Sequence, residues 1–377
     1  MKKRILEIFG EPISYGGQES FVFNTLKAMD KSNFKIDFLT PYYIDNIEYK
    51  KFIEEIGGRL FCLELPFNPG KSRLNIASKI DRILQTSNYD VVHINTGSIS
   101  VLGICSYLAK KNHVKKILAH SHIANSYNQG ILKEIKHETL KFSFTPLFKM
   151  TVTDFCAPSF EAAYWQFSRR LFKKKGHIIR NGIDLEEFKY NPQKRYEYRK
   201  KLSLTGKLVI GNVGRLSYQK NQEFLIYLLK SILPQIPNCR LLLVGDGPDK
   251  SKLMAEIKAN HLEEKIILTG NVNNVNDYLQ AMDLFLFPSR FEGLGIAGIE
   301  AQVSGLPVIV SKFVPKEMKI LKTTFFLKMD SLLWTKTILE IDDYLDRYKV
   351  LRANSYKNAE KYNIKKTSEE LFKLYRS

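Results

Sequence analysis

Cysteine is scarce in this sequence, with four in 377 residues. Cys62, Cys105, Cys156 and Cys239 lie far apart with no CxxC pair, and the seven histidines show no metal-ligand spacing beside them. A disulfide scaffold and a structural metal are therefore not expected, and a reducing cytoplasm is. Long apolar runs are missing too: no stretch of 18 or more residues could span a bilayer. The N-terminus starts basic like a signal peptide, but Glu7 breaks its apolar segment, so it reads as a first strand. Acidic residues are outnumbered, 39 against 58 basic, for a net charge of +19. Such an excess ordinarily suggests nucleic acid or an anionic membrane surface. Here it is spread evenly over both halves and no nucleic-acid module is recognisable, so nucleic acid is not expected as a partner. Part of the charge follows from a composition rich in Lys, Asn, Ile and Phe.

What the sequence does have is alternation of strand and helix patterns. Arg4–Ile8, Lys35–Leu39, Arg59–Leu63, Val91–Ile94 and Lys116–Ala119 read as strands with helical stretches between them. Leu208–Val213, Arg240–Val244, Lys265–Thr269, Leu284–Phe287 and Val308–Val310 continue the pattern. The length suits two cores better than one. Between Phe287 and Val308, Ile296, Ile299 and Val303 recur at spacings of three and four, which predicts a helix of roughly ten residues and a βαβ unit.

The loop into that helix, Phe291-Glu292-Gly293-Leu294-Gly295, supplies two glycines and a helix start, which suits a phosphate against the backbone. Glu292 precedes the first turn, and Glu300 lies eight positions later on a mostly apolar helix, where a carboxylate is expected to face a cleft. Gly293 to Gly298 also spells the dinucleotide fingerprint G-x-G-x-x-G. Five residues separate the strand from those glycines, however, and the next strand ends in Ser311-Lys312 rather than an acid, so a dehydrogenase is not expected.

Glu-x7-Glu within PSRFEGLG…EAQVSGLPVIVS resembles family 4 of the retaining nucleotide-sugar glycosyltransferases, and in particular the bacterial capsule and exopolysaccharide enzymes. The resemblance implies an α/β fold of the GT-B type, two Rossmann-like domains facing across a cleft. It places Glu292 beside the donor sugar, Glu300 on the ribose hydroxyls, and the backbone of Gly293, Leu294 and Gly295 at sugar and phosphate. Gly214-Arg215-Leu216…Lys220 follows a strand and resembles the family loop that holds the donor diphosphate, so Arg215 and Lys220 are the implied leaving-group stabilisers. Gly270-Asn271-Val272 resembles the segment whose backbone reads the nucleobase. Gly16-Gly17 ends a turn-rich loop after the first strand, and Gly17 would approach the diphosphate. His120, in the His120-Ser121-His122 trio beyond a strand end, matches a histidine used near the reacting sugar; His93 reads as structural. Asn181-Gly182-Ile183-Asp184 resembles the interdomain hinge. The resulting division is residues 1–180 plus a returning C-terminal helix at 362–377 on the acceptor side, and 181–361 for the nucleotide sugar.

The activity so implied is retaining transfer of a hexose or N-acetylhexosamine, preferably from a UDP-sugar, to an undecaprenyl-diphosphate-linked glycan in capsular or exopolysaccharide synthesis. No cofactor is expected, and since no two aspartates stand two positions apart, no DxD metal site either. An epimerase or phosphorylase of the same fold, and a non-catalytic nucleotide-sugar binder, are the alternatives. The residues from Ala162 to Ile183 carry six basic side chains and no acid, interleaved with aromatics; together with Ile131–Met150 they are candidates for peripheral contact with an anionic membrane at its inner face.

Overall fold

The computed structural model describes residues 2–65, 74–122, 131–343, 352 and 355–377. The chain divides into two compact units, Met1–Gly182 with Ile364–Ser377, and Ile183–Asn363. Each is built on one parallel sheet. The first contains β1 (Lys3–Phe9), β2 (Phe34–Thr40), β3 (Leu60–Cys62), β4 (Val91–Asn95), β5 (Lys116–His120), β6 (Asp154–Ala157) and β7 (Gly176–Ile178), in the order β3-β2-β1-β4-β5-β6-β7. The second contains β8 (Leu208–Val213), β9 (Cys239–Val244), β10 (Ile266–Leu268), β11 (Leu284–Phe287), β12 (Val308–Ser311) and β13 (Thr324–Leu327), in the order β10-β9-β8-β11-β12-β13.

Both orders are doubly wound. The chain runs outward one way from β1 or β8, then returns to add strands on the other side, so the loops leaving β1 and β4, and those leaving β8 and β11, diverge and open a crevice at the strands' carboxyl ends. Strands covered on both faces must be apolar throughout, which explains why Leu284–Phe287 and Val308–Val310 read as continuous runs and are fully buried. The expected ten-residue connecting helix is shorter, Ile296–Val303, because Ser304 and Gly305 (φ +74°) turn the chain into β12. The pattern above does not single out β6 or β13, four residues each; both are short strands late in their sheets.

Several elements refine the sequence reading. The basic segment forms two short helices, Phe160–Gln166 and Arg169–Lys175, with Phe167, Leu171 and Phe172 in the first core, so most of its apolar residues serve packing. The C-terminal helix Ile364–Arg376 packs Leu371, Leu374 and Tyr375 into the core formed by β1 and the helix Gly17–Ala28. Tyr362, by contrast, is buried in the second unit. The stretch 344–351, part of the expected C-terminal helical sequence, lies outside the described residues.

One buried side chain fixes the βαβ unit that carries the glutamates. Gln302 donates to the carbonyls of Gly298 and Met318, both at 2.9 Å, and its Oε1 accepts from the Ile320 and Leu321 N–H groups and the Thr324 hydroxyl at 2.8, 3.0 and 2.7 Å. Gln302→Leu keeps the volume but strands these groups. Each buried polar group left unpaired costs about 1–3 kcal/mol, so urea denaturation is expected to show a loss of at least about 3 kcal/mol.

Candidate active site

In the second unit the crevice loops are Gly214–Asn221, after β8, and Pro288–Gly295, after β11. Side chains and backbone stitch them together. Gln219 Nε2 donates to the Phe291 carbonyl at 3.0 Å, the Arg290 N–H donates to the Gln219 carbonyl at 2.8 Å, and Arg290 Nη2 reaches Asn221 Oδ1 at 2.8 Å. Asn221 takes a left-handed conformation (φ 56°) to start the helix Gln222–Ile232, and it also donates to the Pro288 carbonyl at 3.3 Å. Below them, Asn212 Nδ2 donates to the Leu286 carbonyl at 2.8 Å, and its Oδ1 accepts from Gln222 Nε2 at 3.3 Å.

This framework holds Lys220 against Glu292, with Nζ 2.7 Å from Oε1 and the ammonium 5.1 Å from the centre of the Phe287 ring. Glu292 is only 6% exposed, so the Lys220 ammonium is the charge its carboxyl group meets in place of bulk water. Glu300 stands on the next helix, half-buried. Burial pushes its carboxyl up to about 7, the Glu187 charge adds to the rise, and Lys220 opposes it. The cation therefore acts on both glutamates. Arg215 occupies the same loop but is exposed, and among the described residues it makes no ion pair.

The glycines are required by the fold to different degrees. Gly295 caps the glutamate-bearing helix at φ +84°, and a Cβ there would lie 2.9 Å from Phe287. Leu294 between the glycines is core, 3% exposed, which leaves only its backbone for a ligand. A Cβ on Gly245 would meet the Gly214 carbonyl at 2.2 Å, and the Gly245 N–H donates to the Gly270 carbonyl at 3.0 Å. The loops after β8, β9 and β10 thus lie side by side, with Gly270 (φ +72°) and half-buried Val272 at their end.

The first unit gathers the other candidates. Gly16 caps the helix Gly17–Ala28, where a Cβ would collide with Glu19, whereas a Cβ on Gly17 would meet nothing within 4 Å. One turn into that helix, Phe21 packs edge-on against His120, ring centres 4.6 Å apart, and at 5.2 Å from His122. His120 is fully buried with Nδ1 3.1 Å from His93 Nε2. Burial, then His122 and His93, hold its pKa well below 6.5.

Residues 194–362 match the family model described as glycosyl transferases group 1, and residues 15–187 match Glycosyltransferase Family 4. The chain belongs to these glycosyltransferases. Among its relatives, the Bacillus subtilis (strain 168) protein EpsF, described as a glycosyltransferase, is 29% identical over 343 residues, covering 89% of this chain and 87% of EpsF. The capsular polysaccharide biosynthesis glycosyltransferase CapH of Staphylococcus aureus is 23% identical over 99% of both chains. An Escherichia coli UDP-Gal:alpha-D-GlcNAc-diphosphoundecaprenol alpha-1,3-galactosyltransferase is 29% identical over 61% of this chain and 59% of its own. Among solved structures, Anabaena Alr3699/HepE with UDP and glucose superposes with a TM-score of 0.80 at 19% identity over 99% of both chains. The sucrose-phosphate synthase of Thermosynechococcus elongatus gives 0.74 at 17% identity, over 100% of this chain and 98% of that one. The fold is GT-B.

In this glycosyltransferase the sequence reading singled out His120 but not the residues behind it. Glu7, Asn95 and Tyr375 join His93 in a buried cluster. A carboxylate inside the apolar run Ile5–Phe9 of the first strand was the available signal.

The raised Glu300 pKa has a thermodynamic sign. The folded protein holds that proton more tightly than the unfolded chain, whose carboxyl titrates near 4.5, so this group lowers stability as pH rises from about 4.5 to 7 and by a constant amount above. Glu300→Gln removes the ionisation. Melting scans are expected to show the variant level with wild type at pH 4 and more stable by about 5 °C at pH 8.

Proposed function

We propose that this glycosyltransferase moves a hexose or N-acetylhexosamine, with retention of configuration, from a UDP-sugar to a lipid-diphosphate-linked glycan in capsular or exopolysaccharide assembly. The observation that carries the reading is the Lys220–Glu292 pair at the β8/β11 switch point, with Glu300 under the same cation's influence. Lys220 and exposed Arg215 take up the diphosphate charge that develops as the bond to the anomeric carbon breaks. Glu292 sits by the sugar, Glu300 accepts the ribose hydroxyls as a carboxylate, and the backbones of Gly293, Leu294 and Gly295 meet sugar and phosphate. Gly270 and Val272 flank the base. The departing phosphate oxygen takes the proton of the acceptor hydroxyl as that oxygen bonds to the anomeric carbon from the same face. Gly16 and Gly17 leave room for the diphosphate; neither φ nor crowding demands glycine at Gly17, which favours an approaching ligand as the reason for it. His120 takes a sugar hydroxyl.

The related undecaprenol-linked galactosyltransferase and CapH support the acceptor and pathway. Peripheral contact with an anionic bilayer at the cytoplasmic face is part of the proposal. The helix Ile131–Thr151 exposes Ile135, Phe142 and Met150, at spacings of seven and eight on one face, with Lys136 and Lys149 beside them. Arg169, Arg170, Lys173 and Lys174 are exposed on the helix Arg169–Lys175. Among the described residues no helix is long and apolar enough to cross a membrane.

Arg215→Ala and Lys220→Ala are each expected to lower the transfer rate about 10²–10³-fold, Arg215→Ala with the melting temperature little changed and Lys220→Ala with it lowered, because Glu292 then lies buried without its cation, and a chelator is expected to leave wild-type turnover intact. Normal turnover in both variants would remove the site, and complete loss with chelator would reveal a metal. In liposome flotation, vesicles with anionic lipid are expected to recover the protein and neutral ones to leave it behind, Phe142→Glu weakening recovery; equal recovery would remove the membrane contact.

A further inference from the structure

Behind His120 lies a hydrogen-bonded cluster whose donors and acceptors can be assigned one by one. Glu7 (β1), His93 and Asn95 (β4), His120 (β5) and Tyr375 (C-terminal helix) are all fully buried. Strand register sets Glu7 opposite His93 and Asn95 opposite His120. The Tyr375 hydroxyl donates to Glu7 Oε1, and burial beside that carboxylate keeps the phenol protonated, its pKa well above 10. With its hydrogen directed at Glu7, the Tyr375 oxygen faces His93 Nδ1 with a lone pair at 2.8 Å, and Glu7 Oε2 faces the same nitrogen at 3.1 Å. Both neighbours accept, so His93 Nδ1 carries the hydrogen. In a neutral ring the other nitrogen, Nε2, then accepts from His120 Nδ1 at 3.1 Å. His120 Nε2 is left with a lone pair.

A second branch starts from the same carboxylate. Asn95 Nδ2 donates to Glu7 Oε2 at 2.9 Å, which turns Asn95 Oδ1 toward His122 Nε2 at 3.0 Å. His122 therefore bears its hydrogen on Nε2 and its lone pair on Nδ1. Burial, then His93, depress its pKa to about 3, so the ring is neutral. The His120 and His122 rings stack with centres 4.4 Å apart. His120 Nε2 and His122 Nδ1 are both enclosed by protein and meet no hydrogen-bond partner among the described residues. Enclosed acceptors without donors call for a ligand that brings donors.

We propose that Glu7, His93, Asn95 and Tyr375 are positioning residues that fix His120 and His122 in opposite tautomers, presenting His120 Nε2 and His122 Nδ1 as neighbouring acceptors for the hydroxyls of a sugar. This rests on the reading of His120 as a sugar-facing residue. The nearby anion is Glu7, and a single carboxylate orients both branches. If His93 held a second proton, its Nε2 would donate to His120 Nδ1 and turn His120 Nε2 into a donor. The assignment is thus open to direct measurement.

Nitrogen-15 spectra of the histidine-labelled full chain at pH 7 are expected to show His93 and His120 protonated on Nδ1 and His122 on Nε2. Finding His120 protonated on Nε2, or on both nitrogens, would overturn the inference. Glu7→Gln is expected to abolish the His120 preference and lower kcat about tenfold or more. Should that variant not fold, Tyr375→Phe, which withdraws the hydroxyl from Glu7 and His93 but leaves Glu7 Oε2 on His93 Nδ1, is expected to shift the His93 and His120 signals while both stay protonated on Nδ1; unmoved signals, or a His120 proton on Nε2, in the folded variant would also overturn it. The spectra need no substrate, whereas turnover of His120→Ala tests the reading of His120 itself, so the two failures are distinguishable.

Discussion

A parallel sheet buried on both faces leaves its backbone bonded strand to strand and its polar business at the ends of the strands. Everything else in this molecule follows from that constraint. Strands such as Leu284–Phe287 have no room for a functional side chain along their length, because both faces meet helices. Chemistry is pushed to where they stop. The reversal of order at β1/β4 and at β8/β11 decides which ends lie open; Lys220 and Glu292 are found at the second, and His120 ends β5, the strand next to β4.

Charge at such a place has to be held without water. Glu292 is held by Lys220. Glu300 has no such partner at hydrogen-bond distance among the described residues, and its proton affinity rises accordingly. The supporting loops contain the backbone conformations expected of a site that is shaped rather than relaxed, including the left-handed Asn221 and Gly295. The Asn212–Gln222 pair anchors those loops from beneath, and Gln302 ties the helix Ile296–Val303 to the segment leading into β13. In the first unit the groups gathered around the Glu7 carboxyl are imidazole, amide and phenol.

The two units differ in how far their sites could be read from sequence. Fold class was legible because strand, glycine loop and helix alternate with little interruption. The second-unit site was legible because two contiguous segments, Gly214–Asn221 and Phe291–Glu300, carry it; spacing along the chain is then spacing in the loop. Short strands such as β6 and β13 were not, since four residues leave no period to detect. Nor was the cluster behind His120. Its contacts join Glu7 to His93, Asn95 and Tyr375 across 86, 88 and 368 residues, and only register brings them together. Glu7 helped argue against a signal peptide, yet its role is buried and polar. Arg215 was matched by its loop, but its exposed position is a property of the folded chain.

The end of the chain completes the unit that its beginning starts. Lys3 donates to the carbonyls of Tyr375 and Arg376, and Tyr375 closes onto Glu7. During synthesis Ile183–Asn363 can emerge from the ribosome entire, whereas the first unit must wait, its core lacking Leu371, Leu374 and Tyr375 until the helix Ile364–Arg376 has been made. Translation thus imposes an order of assembly in which the unit begun first is closed after the other, and a ribosome that stops before Ile364 releases a chain with apolar side chains uncovered along its first helix.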